Sequence, residues 1–163
     1  MIIRQIPSLR AYARLLVGER FRADDLVQDC LERAWSRLHL FRGDGDIRVW
    51  LFTIMHNLYV SDIRREQRRP AVIALAEHDE LLRAPPREEL RLELEYLARA
   101  LSELPEEQRA AVLLVGVEDM SYEQAAAVLG IPVGTLMSRL YRGRKRLRIL
   151  MSGKVEPALK RVK

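Results

Sequence analysis

The run Ser121-Tyr122-Glu123-Gln124-Ala125-Ala126-Ala127-Val128-Leu129-Gly130-Ile131-Pro132-Val133-Gly134-Thr135-Leu136 decides the fold. Ser121, followed three residues later by Gln124, is a capping-box pattern that starts a helix by satisfying its free N–H groups. Ala125, Ala126 and Leu129 continue a short helix, and Gly130 can end it in the left-handed conformation. After Ile131, Pro132 opens a second helix. In it Leu136, Leu140, Gly143 and Leu147 recur at core-facing spacing to about Leu150. Two helices joined by so tight a turn have the form of a helix-turn-helix.

The second helix is chemically one-sided. From Leu136 to Arg148 it carries six basic residues (Arg139, Arg142, Arg144, Lys145, Arg146, Arg148) and no acid. Its face away from the apolar set presents Ser138, Arg139, Tyr141, Arg142, Lys145 and Arg146. A guanidinium can bond guanine O6 and N7 together in the major groove, or grip phosphate with the same planar fork. The unpaired N–H groups near Val133–Thr135 suit a phosphate. An ordinary solvated face would interleave acids as i,i+4 partners, and none are present.

The bulk composition agrees. The chain has 163 residues, a net charge of +5 and 48% apolar residues, so it is globular and basic. Acids crowd the stretch Glu77–Glu107, so opposite charges are segregated, as expected when one face meets phosphates. A single cysteine, Cys30, excludes an internal disulfide, and His39, His56 and His78 lack metal-ligand spacing, so neither metal nor cofactor is expected. The longest uncharged runs, Val49–Ser61 and Gln124–Ser138, fall short of the ~20 residues of a membrane span. The N-terminus has no signal-peptide core, so a cytoplasmic location is expected. No nucleophile–base pairing and no Gly-rich phosphate loop point to an enzyme.

Periodicity divides the chain into an all-α protein of two small helical domains. Residues 1–68 hold three helical stretches: Ile6–Val17, about Ala23 to Leu40, and about Ile47 to Gln67. The second places Leu26, Val27, Cys30, Leu31, Ala34, Trp35 and Leu38 on one broad apolar stripe, with Asp24-Asp25 as a candidate N-cap. Phe41-Arg42-Gly43-Asp44-Gly45-Asp46 reads as a loop. Residues 69–86, bounded by Pro70 and Pro85-Pro86, read as a flexible linker with a short helical patch around Leu75–Leu82. Residues 87–153 hold four more helices: Arg87–Ser102, one opened by Pro105, and the pair above. Residues 154–163 form a basic tail.

On the third helix Thr53, Asn57, Ser61 and Arg64 recur at nearly helical spacing, opposite Leu51, Ile54 and Leu58. An amide such as Asn57 donates and accepts at once, as an exposed base edge requires. The Phe41–Asp46 loop could pocket an unstacked base, with Arg42, Arg48, Arg64 and Arg65 tracking the opened strand.

Two sets of motifs resemble the extracytoplasmic-function sigma factors. Leu104-Pro105-Glu106-Glu107-Gln108-Arg109, Ser121–Ala126, Leu129–Thr135, Ser138-Arg139 and Arg142-Gly143-Arg144 are similar to their region 4. Asp24-Asp25-Leu26-Val27-Gln28-Asp29 with Arg33-Ala34-Trp35, then Phe41–Asp44 and Trp50–Ile54 with Asn57 and Asp62, resemble their region 2. The resemblance covers most of the chain, in the family's order. It implies a promoter-specific initiation factor, active in stress responses, that binds core RNA polymerase and promoter DNA and is controlled by an anti-sigma factor.

It also implies site residues. Asp25, Gln28, Asp29, Arg33 and Trp35 would bind polymerase. Arg42, Arg48, Thr53, Asn57, Ser61 and Arg64 would meet the −10 element. Thr135, Ser138, Arg139, Tyr141, Arg142, Lys145 and Arg146 would meet the −35 element. Met137 stands where many members carry a basic residue. A competing reading is a sigma mimic that binds an anti-sigma factor without touching DNA. Such domains are normally fused to a receiver, for which this chain has no room, and a mimic would not need the basic face. A generic helix-turn-helix regulator would leave the first half unexplained.

Overall fold

In the computed structural model residues 1–68 and 88–153 are described, and among them all regular structure is helical. Helix α1 is Ile6–Val17, α2 Arg20–Ser36 and α3 Ile47–Gln67; α4 is Glu88–Ser102, α5 Glu106–Gly116, α6 Tyr122–Leu129 and α7 Val133–Ser152. Short 3-10 turns cover Ile2–Gln5 and Leu38–Leu40. The expected linker, its helical patch and the basic tail lie outside the described residues.

Local chemistry sets the helix ends. Gly18 closes α1 at φ 78°, a left-handed conformation that a side chain would oppose. Gly130 does the same after α6 at φ 63°. The capping box forms as expected: Gln124 N donates to Ser121 Oγ at 3.1 Å, and Ser121 N donates to Gln124 Oε1 at 3.0 Å. Pro105 and Pro132 stand one place before their helices, as N-caps. Two expectations need correction. Helix α2 begins at Arg20, so Asp24 and Asp25 are inside it and cap nothing. Trp35 and Leu38 are off the core stripe, exposed instead of buried, because α2 ends at Ser36 and not near Leu40 and no described element covers that side.

The first three helices bury Leu9, Tyr12, Leu16, Leu26, Val27, Cys30, Leu51, Phe52 and Met55. At the centre Tyr12 meets Phe52 edge to face, 5.1 Å between ring centroids. The last four centre on Leu101, Leu113, Leu114, Val128 and Leu136. Gly143 lets α7 lie directly on α5: a Cβ there would stand 2.7 Å from Val112 Cγ2.

The two groups are packed on each other. Helix α6 lies along α3, and α4 and α5 lie against α1, so the buried residues of both groups form one cluster. This explains α3, whose apolar residues spread round its circumference. Leu51, Phe52 and Met55 face α1 and α2, while Val60 and Ile63 line a cleft with Ala110 and Leu129.

Candidate nucleic-acid interface

Three surfaces carry the residues singled out by sequence. On α7, Thr135, Ser138, Tyr141, Arg142, Lys145 and Arg146 are exposed, and Leu136, Leu140 and Gly143 are buried beneath them. The Ser138 hydroxyl donates to Gly134 O at 3.1 Å, so its oxygen lone pairs remain outward. Arg139 differs from its neighbours. Its guanidinium lies 3.3 Å from Glu107, and only 24% of its side chain is accessible. It belongs to the α5 side of the helix, not to the outward face. Met137, 51% exposed, joins Tyr141, 64% exposed, as an apolar i,i+4 pair beside the basic residues. Such a pair offers contact to thymine methyl groups.

On α3, Asn57, Ser61 and Arg64 are exposed and line an open groove with Arg65, Arg68 and Leu129. Thr53 is turned inward: its hydroxyl donates to Val49 O at 2.7 Å. Arg48 is taken up by the second group of helices, donating to Glu118 Oε2 at 3.0 Å and to the Glu118 carbonyl. Arg42 is exposed on the preceding loop, where Phe41 rests against Trp50 with ring centroids 5.2 Å apart. Gly45 N donates to Arg42 O at 2.9 Å, which makes the loop a tight turn. Asp46 caps α3 by accepting from Arg48 N at 2.8 Å.

On α2, Asp25, Gln28, Asp29, Arg33 and Trp35 are all exposed. Gln28 donates to Glu32 at 3.2 Å. Asp25 and Asp29 edge a shallow cleft with Arg22, Tyr59 and Glu66. Sequence reasoning missed Phe21 on the same face. It is 76% exposed, and Phe21 and Trp35 bracket the acids about four turns apart. A large aromatic at an outward position of an amphipathic helix was the signal that could have found it.

Other residues matter only through long-range contacts. Arg109 donates to four backbone carbonyls: Leu101 at 2.9 Å, Ser102 at 2.9 Å, Leu104 at 2.9 Å and, across to α1, Leu16 at 2.6 Å. It thereby satisfies carbonyls left open at two helix ends. His56 lies in the cleft between the groups, near Tyr59, Arg64, Glu106, Glu107 and Arg139. Burial, with the Arg139 charge as a smaller cause, lowers its pKa to about 4, and its Nδ1 has no hydrogen-bond partner. Burial pushes the Cys30 thiol up to about 12, which leaves it unreactive. Glu118 is the one buried charged side chain among the described residues; burial raises its pKa, and the Arg48 hydrogen bond and charge oppose that. No described helix is long and apolar enough to cross a membrane.

A basic helix-turn-helix behind a second helical group whose own outer helix is acidic and aromatic is an arrangement seen in proteins of known kind. Residues 94–147 match the family model for sigma-70, region 4, and residues 2–56 match that for the Sigma2 domain of PhyR. The chain is 43% identical over 150 residues to the ECF RNA polymerase sigma factor EcfG of Rhodopseudomonas palustris, covering 92% of this chain and 82% of that protein. Among solved structures it resembles the sigma factor RpoE of Bartonella quintana in complex with the anti-sigma factor NepR. There the TM-score is 0.80 at 34% identity, over 93% of this chain and 94% of that one. CnrH in complex with the cytosolic domain of CnrY follows at a TM-score of 0.68 and 29% identity, over 93% of this chain and 85% of that one. The chain belongs to the extracytoplasmic-function RNA polymerase sigma factors.

Proposed function

We propose that this sigma factor docks on core RNA polymerase through the α2 face, with Phe21 and Trp35 as apolar anchors around Asp25, Gln28, Asp29 and Arg33. The Asn57–Ser61–Arg64 face of α3, with Arg42 and, once freed from Glu118, Arg48, captures the opened −10 element; Thr53, bonded to its own helix, supports that face from within. The outward face of α7 holds the duplex −35 element, Arg142 reading or gripping DNA beside Thr135, Ser138, Tyr141, Lys145 and Arg146. Linking two modest DNA contacts in one chain raises affinity through effective concentration. A separate anti-sigma protein holds the chain inactive. That part is supported by the structure of RpoE, solved in complex with the anti-sigma factor NepR. Catalysis belongs to the polymerase.

One observation carries this reading. Among the described residues an exposed acidic–aromatic face on α2 accompanies an exposed basic face on α7, and a DNA-binding regulator alone needs only the second. The match of residues 2–56 to the PhyR domain favours a second reading, a mimic that only sequesters an anti-sigma protein. The retained basic face of α7 speaks against it. Run-off transcription with core polymerase on a promoter library separates the two, because a mimic yields no specific transcript. In that assay's binding counterpart, Arg142→Ala weakens −35 binding by ~1–3 kcal/mol if it reads a base, or lowers the salt slope by about one if it grips phosphate. If Arg142→Ala alters neither the affinity nor the salt slope, the assignment of Arg142 fails.

A further inference from the structure

We propose that the helix-turn-helix group serves as an internal cover for the −10 helix, latched by Glu118 holding Arg48 and by Gln124 holding Asp46. The inference rests on the proposed role of α3 in capturing opened DNA.

The latch is a continuous polar chain between residues 70 and 78 positions apart. Gln124 Nε2 donates to Asp46 Oδ2 at 2.9 Å, while its Oε1 accepts from Ser121 N at 3.0 Å. The other oxygen of Asp46 accepts from Arg48 N at 2.8 Å, and the Arg48 guanidinium reaches Glu118 Oε2 at 3.0 Å. The capped N-termini of α3 and α6 are therefore tied by one shared glutamine. Asp119, at φ 52°, is the one non-glycine residue with positive φ among those described. That turn presents both the side chain and the carbonyl of Glu118 to Arg48.

Chemistry makes the contact a competitor. A carboxylate and a phosphate ask the same of a guanidinium, a pair of N–H donors toward oxygen. With Glu118 in place, Arg48 is withheld from a DNA strand. Glu118 keeps 5% of its surface exposed, so opening leaves a charge to be hydrated, which is readily done. Asn57, Ser61 and Arg64 sit further along α3 and stay exposed in the closed form. The cover thus withholds the start of the −10 helix and leaves its later turns accessible. The α2 residues Asp25, Gln28, Asp29, Arg33 and Trp35 stay exposed in the closed form, so polymerase docking there is free to precede opening.

The test uses the full chain and two variants. Glu118→Gln keeps shape and removes the charge. Gln124→Glu keeps an acceptor for Ser121 N but sets a carboxylate against Asp46, so the capping box survives. Spin labels on Ala11→Cys and Ala127→Cys, both exposed positions, report the distance between α1 and α6. Binding is read with a single-stranded oligonucleotide carrying the −10 sequence recovered from run-off transcription, or a mixed-sequence one if no transcript forms. Expected are a narrow distance distribution in the parent, a broadened one in at least one variant that circular dichroism shows folded, and roughly fivefold tighter binding by that variant as the competent fraction rises. Unchanged narrow distances in both folded variants overturn the latch. Broadened distances without tighter binding overturn the competition for Arg48. The distance measurement involves neither polymerase nor transcription, so failure of the sigma reading would show separately as a missing transcript.

Discussion

Replacing Gly143 by alanine sets two effects of similar size against each other. On helix propensity alone, Ala in the interior of α7 is worth about 1 kcal/mol over Gly. The packing says otherwise: the added Cβ would stand 2.7 Å from Val112 Cγ2, 3.2 Å from Gln108 O and 3.3 Å from Gln108 Cβ. Carbon atoms in good contact are about 3.5–4.0 Å apart, so the first distance is nearly an ångström too short. Val112 is β-branched within a helix and has one strongly preferred rotamer, so its methyl cannot swing aside cheaply. The Gln108 oxygen is backbone and moves only with α5. Overpacking of this kind costs about 1–3 kcal/mol, which exceeds the propensity gain, so a net loss of about 1 kcal/mol is expected.

Urea denaturation followed by helical circular dichroism measures it. Gly134→Ala is the control: nothing lies within 4 Å of a Cβ there, so that variant gains stability or stays neutral. A double-mutant cycle sharpens the point. In a Val112→Ala background the clash is gone, and Gly143→Ala should then stabilise. If Gly143→Ala raises stability with Val112 intact, α7 does not seat on α5 this closely, and the account of how the basic face is presented fails with it.

Three further outcomes follow from individual groups. His56 has a folded pKa of about 4 against an ordinary 6.5, so the unfolded chain takes up a proton that the folded chain refuses. Stability is therefore lost as pH falls from 6.5 towards 4, by about 2 kcal/mol at pH 5, and His56→Gln should lack that loss in parallel pH-dependent melts. Acids and bases facing it (Glu106, Glu107, Arg64, Arg139, Tyr59) remain in both proteins, so the difference isolates the imidazole. Ser121→Ala removes the α6 cap and should cost about 1 kcal/mol in urea melts; an unchanged midpoint would mean that water replaces the hydroxyl without loss. Arg109→Lys keeps the charge but cannot span four carbonyls, and a drop of about 1–3 kcal/mol is expected in the same melts.

Most of the helical plan was legible because its signals are local. The capping box at Ser121 and Gln124, the left-handed stop at Gly130 and the Leu136–Leu140–Gly143 spacing each depend on residues within a turn or two. The basic outward face of α7 follows from that same spacing, so most of the expected −35 residues are exposed in the fold. Less legible were residues at the margins of a helical stripe. Trp35 falls at the edge of the α2 apolar face, where periodicity alone assigns it to the core, yet most of its surface is exposed. Phe21 went unnoticed because the predicted start of α2 lay two residues beyond it, whereas the helix begins at Arg20.

By itself, then, the sequence determined an all-helical chain, its caps and turns, a basic recognition helix and, through its motifs, membership among the sigma factors. Only the tertiary structure decided which side chains are engaged across the fold: Arg48 by Glu118, Arg139 by Glu107, and Arg109 by carbonyls of both helix groups. The reason is range. Periodicity and capping are set by residues three or four apart, whereas the meeting of Arg48 with Glu118 depends on how α6 settles on α3. That settling sums the shapes of every buried side chain between them.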